Sequence, residues 1–152
     1  MFTVNSIDKF VKNWGSKNAM VPINTQDIVE LESKLSISLP ESYKYLITTY
    51  GLVHSPNVLT KICDLNSDVS AVQDFLSLDD VFTLSNLYEM SGMPKGHILF
   101  ASDCQGSMFC FKHDDCLNQE SDVPVWFYDR ENFCVKQVSS SFSDWLEGFN
   151  EL

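Results

Sequence analysis

Cys104, Cys110, His113 and Cys116 lie within one thirteen-residue stretch, with His113 three residues from each flanking cysteine. Thiolate and imidazole are the ligands that zinc prefers, and a loop could gather them into a tetrahedron. The plainer reading is structural. The stretch lacks a close C-x-x-C knuckle, and Cys110 sits in a strand-like run between Phe109 and Phe111. The odd count of five cysteines, behind an N-terminus without the basic-then-apolar layout of a secretion signal, argues for reduced thiols. Buried thiols of that kind behave as small hydrophobes. Other catalytic patterns are missing: there is no Gly-rich phosphate loop and no G-x-S-x-G elbow. His54, His97 and His113 are far apart, and the acid pairs Asp79–Asp80 and Asp114–Asp115 are adjacent. Adjacent residues on a strand face opposite ways, so neither pair reads as a catalytic dyad. The expectation is a protein that is not an enzyme, with no catalytic residue, no cofactor and no metal.

Charge points to recognition instead. The first 60 residues are balanced, five acids against five lysines. Residues 61–152 hold 16 acids against five Lys and Arg, and so carry the whole net charge of −11. Phosphate binding needs concentrated Lys and Arg, so the expectation is no nucleic acid as a direct ligand. A basic protein partner fits, because opposite fields speed encounter; solubility is the bland counterpart. The candidate contacts are the acids of the expected loops: Asp64, Asp68, Asp114, Asp115, Glu120, Asp122, Asp129 and Glu131. The run Trp126–Phe127–Tyr128 adds an anchor. Strand alternation puts Trp126 and Tyr128 on one face, and such aromatics often anchor interfaces.

The elements that must position these residues follow from periodicity. A helix capped at Ser6 carries Ile7, Phe10, Val11 and Trp14, and ends at Gly15. Asn24 or Thr25 caps a second over Thr25 to Leu35. A third opens at Pro40, whose missing N–H costs nothing in a first turn. It shows Tyr43, Leu46, Ile47 and Tyr50 on one stripe, and stops at Gly51. Val58 to Cys63 and Ser70 to Leu76 read as short strands. Leu78 and Asp79 precede a helical stretch with Val81, Leu84, Leu87 and Tyr88. His97–Phe100, Met108–Phe111, Val123–Tyr128 and Phe133–Val138 read as strands joined by turns. Ser140 or Ser141 caps a last helix with Phe142, Trp145, Leu146 and Phe149 inward. This predicts one α+β domain over residues 1–152, with a mainly antiparallel central sheet packed against N-terminal and C-terminal helices. No apolar run approaches the ~20 residues that span a bilayer. The expectation is a soluble cytoplasmic protein, monomeric or a weak homodimer.

The stretch LSISLPESYKYLITTYG, through Leu39, Pro40, Glu41, Tyr43, Lys44 and Gly51, resembles a signature of the SUKH superfamily. Ile98, Ala101, Asp103, Gly106, Phe109 and Phe111 resemble its hairpin, and Ser141, Phe142, Trp145 and Leu146 its closing helix. The likeness covers nearly the whole chain. One departure stands out: Leu52 and Val53 follow Gly51, where the family often has Asn or a second Gly. The resemblance implies a central sheet packed against helices. It also implies an immunity protein that binds and neutralises a cognate bacterial toxin, often a nuclease. A related reading is a general intracellular scaffold, since the superfamily resembles eukaryotic regulators of cell-wall synthesis. A zinc-dependent enzyme is the third. The matched positions Leu39, Pro40, Tyr43, Gly51, Asp103, Gly106, Phe142, Trp145 and Leu146 read as structural.

Overall fold

The computed structural model describes residues 4–15 and 20–152; Lys17, one of the balancing lysines, lies outside them. In chain order the elements are α1 (Val4–Trp14), α2 (Thr25–Leu35), α3 (Glu41–Thr49), α4 (Pro56–Asp64), β1 (Asp74–Phe75), α5 (Leu78–Met90), β2 (His97–Ser102), β3 (Met108–Lys112), a 3₁₀ turn (His113–Cys116), β4 (Val125–Asp129), β5 (Cys134–Ser139) and α6 (Phe142–Asn150). The five strands form one antiparallel sheet in sequence order. The α+β reading therefore holds, and consecutive antiparallel pairing follows from the short turns between strands.

Two expected strands change character. Val58–Cys63 lies in helix α4, which starts at Pro56 and buries Val58 and Ile62 one turn apart. A proline in the first turn and an i,i+4 apolar pair outweigh the β-branched residues between them. In the second segment only Asp74 and Phe75 pair as a strand, although Gln73 and Leu76 also donate to the carbonyls of Ser102 and Phe100. The first helix begins at Val4, ahead of the expected Ser6 cap.

One sheet face carries an aromatic core. Phe100 stacks on Phe111 at 4.2 Å, and Phe109 meets Phe127 at 5.0 Å. Tyr43 of α3 and Phe142 and Trp145 of α6 close over them, with centroid separations of 4.8–5.9 Å. Such edge-on and offset pairs add to the area that they bury. Helix α5 covers the other face, where Tyr88 meets Tyr128. A register shift between Leu99 and Ala101 interrupts the β2–β3 ladder. There the buried Ser85 hydroxyl accepts from the Leu99 N–H at 2.9 Å and donates to the Val81 carbonyl. The bulge thus leaves no orphan donor against α5.

The start of α3 shows how the chain is tied together. Pro40 is the residue before the first turn and has no capping side chain. The free N–H groups of Glu41 and Ser42 instead donate to the carbonyls of Glu120 and Ser121. Asp122 then links three elements. Its Oδ1 accepts from Ser42 Oγ (2.8 Å), Phe142 N (2.9 Å) and Val123 N (3.1 Å), and its Oδ2 accepts from the Ser143 hydroxyl. One half-buried carboxylate therefore holds α3, the approach to β4 and the N-terminus of α6, where negative charge is favourable. Gly51 ends the α3 segment at φ +116°; a Cβ there would stand 2.5 Å from the Val21 carbonyl oxygen. Of the residues at the departure from the family pattern, Val53 is buried in the core and Leu52 packs against it.

Removing the Asp122 carboxylate should therefore be costly. Asp122→Ala strands several donors and should lower unfolding stability by about 2–4 kcal/mol. The Tyr43 hydroxyl is buried without a hydrogen-bond partner among the described residues. Tyr43→Phe should accordingly change stability by less than about 1 kcal/mol. Urea unfolding of both variants checks the pair; a larger loss for Tyr43→Phe would refute the assignment.

Candidate partner-binding site

Strand β3 separates the cysteine–histidine group. Cys104 is exposed in the β2–β3 turn, whereas His113 and Cys116 lie past the other end of β3. His113 Nε2 lies 3.2 Å from the Leu35 carbonyl, and the Cys110 thiol faces the Trp126 carbonyl at 3.6 Å. Among the described residues no group of three or more His, Cys, Asp or Glu could hold a metal ion. Burial pushes the thiols of Cys110 and Cys116 up to about 12, which keeps them protonated and unreactive.

The candidate acids divide between opposite ends of the sheet rather than forming one face. Asp114 (exposed), Asp115 (half-buried) and Glu120 (exposed) lie in the β3–β4 connection, which is bonded to residues 38–42 through Ser38 N–Cys116 O and Ser42 N–Ser121 O. Asp129 and Glu131 lie at the far end of β4, in the β4–β5 turn. Asp64 ends α4, and Asp68 stands in the loop that follows it, beside β5 and α6. Asp122 is absorbed by its internal bonds and offers little to a partner. Asp129 accepts from the Asn132 side chain and from the N–H groups of Glu131 and Asn132. Those bonds, the Asn132 amide foremost, hold its carboxyl below the usual carboxylate range.

The two expected aromatic anchors differ in exposure. Tyr128 is only 2% exposed and packs on Tyr88, so it cannot meet a partner without leaving the core. Trp126 is half-buried, with the Lys112 ammonium 3.8 Å from its ring centroid. Among the described residues a strongly exposed aromatic is Phe133, 59% exposed, in the β4–β5 turn at φ +52°. A bulky residue in the left-handed region is unusual, because its Cβ crowds the backbone. Phe133 and the exposed Leu87 of α5 line one shallow cavity of about 310 Å³ together with Tyr88 and Arg130. Met90, 86% exposed, follows Leu87 by three residues on the same helix. The helical stretch read from sequence counts Leu87 among its apolar residues with Val81, Leu84 and Tyr88, and no sequence signal marks it as exposed.

Among the described residues the ion pairs are Lys44–Glu32, Lys44–Glu41 and His54–Asp74. Apart from Asp74, the acids of residues 61–152 therefore have no ion-pair partner among the described residues. The matched motif positions, by contrast, are all engaged within the fold. Leu39 N–H donates to the Glu32 carboxylate, and Asp103 accepts from the Gln105 and Ser107 N–H groups of its own turn. Gly106 holds φ +88° against Arg130, and Phe142, Trp145 and Leu146 are buried.

A family model described as the SMI1 / KNR4 family (SUKH-1) matches residues 22–148. The chain belongs to this family. Its SUKH-1 region takes in every element from α2 to β5 and most of α6, so the shared body is the sheet with its aromatic face. Helix α1 lies outside the matched span. No curated protein matches the chain. No helix among the described residues is long and apolar enough to cross a membrane.

Two measurements follow. With Ellman's reagent the exposed Cys63, Cys104 and Cys134 of the native protein should react within minutes, and the buried Cys110 and Cys116 only after unfolding. Prompt reaction of all five would contradict the burial. Because the folded Asp129 carboxyl titrates below its unfolded value, its contribution to the β4–β5 turn is complete above the ordinary carboxylate range and is lost as pH falls through the depressed value. Carboxyl-carbon NMR of Asp129 and of Asn132→Ala should show this titration moving upward in the variant; an unchanged midpoint would remove the assigned cause.

Proposed function

We propose that this SUKH-1 protein is an immunity protein: it binds a basic bacterial toxin, often a nuclease, and blocks it without performing a reaction. The observation that carries the reading is the set of acids in residues 61–152 left without ion pairs among the described residues, together with an exposed apolar cluster at the β4–β5 turn. A nuclease holds phosphates in a basic cleft, and acids such as Glu131 can face that cleft while Phe133 and Leu87 bury against its rim. Unscreened charge raises the encounter rate, and a few buried apolar side chains slow release. The acids of the β3–β4 connection, at the other end of the sheet, serve long-range attraction rather than contact in this arrangement.

The split predicts two separable effects. Glu131→Gln should slow association and flatten its salt dependence, with dissociation nearly unchanged. Phe133→Gly relieves the left-handed strain, so stability should fall by no more than about 1 kcal/mol, while dissociation of the complex quickens about tenfold or more. Co-expression with the toxin encoded beside the gene, followed by surface plasmon resonance, reads both. Failure to bind or neutralise that toxin would defeat the immunity reading and favour a regulator with other partners.

A further inference from the structure

Helices α2 and α5 enclose a groove of about 640 Å³ on the side away from the β4–β5 turn, at the first turns of α5. Leu31, Leu52 and Phe82 give it an apolar lining, and Asp27, Glu30 and Asp79 line it with carboxylates from both helices. The cation in this lining is Lys34, in the last turn of α2. Glu30 precedes it by four residues, the spacing that favours a helical ion pair. The two nevertheless form none; the Lys34 ammonium leans over the Phe82 ring, 5.5 Å from its centroid. That distance lies within cation–π range. This ammonium thus rests on the aromatic wall, and the three carboxylates of the lining have no ion pair among the described residues.

We propose that this groove takes an arginine or lysine side chain from a basic protein segment. The alkyl stem lies along Leu31 and Leu52, and the charged head sits over Phe82 between Asp27, Glu30 and Asp79. Lys34 is an internal stand-in for that head, and swings into solvent on its exposed, flexible stem when the partner enters. The proposal rests on the reading that the partner is a basic protein, and it names where one of the partner's cations goes. It also draws contacts from the part of the chain whose summed charge is zero, because Asp27 and Glu30 belong to residues 1–60.

The test uses the full chain, labelled with ¹⁵N, and a hexapeptide of alternating arginine and leucine. Its citrulline counterpart has the same shape without the charge. Amide shifts at Leu31, Leu52 and Phe82 with the arginine peptide, and much smaller ones with citrulline, are expected. Phe82→Leu should weaken binding about two- to fivefold, the range of an exposed cation–π contact. Lys34→Gln should tighten it, since the competing cation is gone. Equal response to both peptides, shifts confined to the β4–β5 turn, or weakening by Lys34→Gln would overturn the proposal. The toxin assay separates it from the immunity reading. Groove variants that capture toxin with full affinity end the groove proposal alone, whereas peptide binding without neutralisation of any toxin ends the immunity reading alone.

Discussion

The half-buried carboxylate of Asp122 is the constraint on which the rest of this fold depends. A desolvated carboxylate needs several donors, and here they come from α3, from the chain entering β4 and from the first turn of α6. Those bonds tie the starts of both helices to the chain entering β4. On the same two helices, Tyr43, Phe142 and Trp145 reach the rings of Phe100 and Phe111. The carbonyls of Glu120 and Ser121, just before Asp122, cap the helix that Pro40 cannot cap. Polar and aromatic layers are thus parts of one arrangement, in which the polar bonds give direction to a hydrophobic contact that has none.

Much of this architecture was legible along the chain, because its signals are local. The Asn24 cap of α2, the stripe of α3, the hairpin at Asp103 and the Ser141 cap of α6 each act within a few residues, and each holds in the structure. The helix over residues 56–64 was misread because its β-branched residues alternate, and its decisive contacts lie elsewhere in the fold. Propensity is a weak prior where packing opposes it.

The binding surface was harder to read for a related reason. Counting charge along the chain assumes that neighbours in sequence share a surface. Strand β4 breaks that assumption, since it carries the chain from one end of the sheet to the other between Asp122 and Asp129. Asp122 itself looked like one more loop acid, and its partner Ser42 lies 80 residues away. Phe133 was assigned to a strand, because nothing in its side chain announces a left-handed backbone. Tyr128 and Phe133 exchange the places that composition suggests: the residue with the polar handle is buried and the apolar one is exposed.

Helix α1 packs on α6, with Trp14 Nε1 donating to the Phe149 carbonyl and Asn150 to the Ser6 carbonyl. The residues so joined are 135 and 144 positions apart. On the ribosome the first helix therefore emerges long before its partner exists. The side of Phe10 that meets Phe149 stays open to water until α6 has been made. Emergence of α6 is then a step in closing the core, and a nascent chain stalled ahead of α6 would show chaperones an apolar helix that the folded domain conceals.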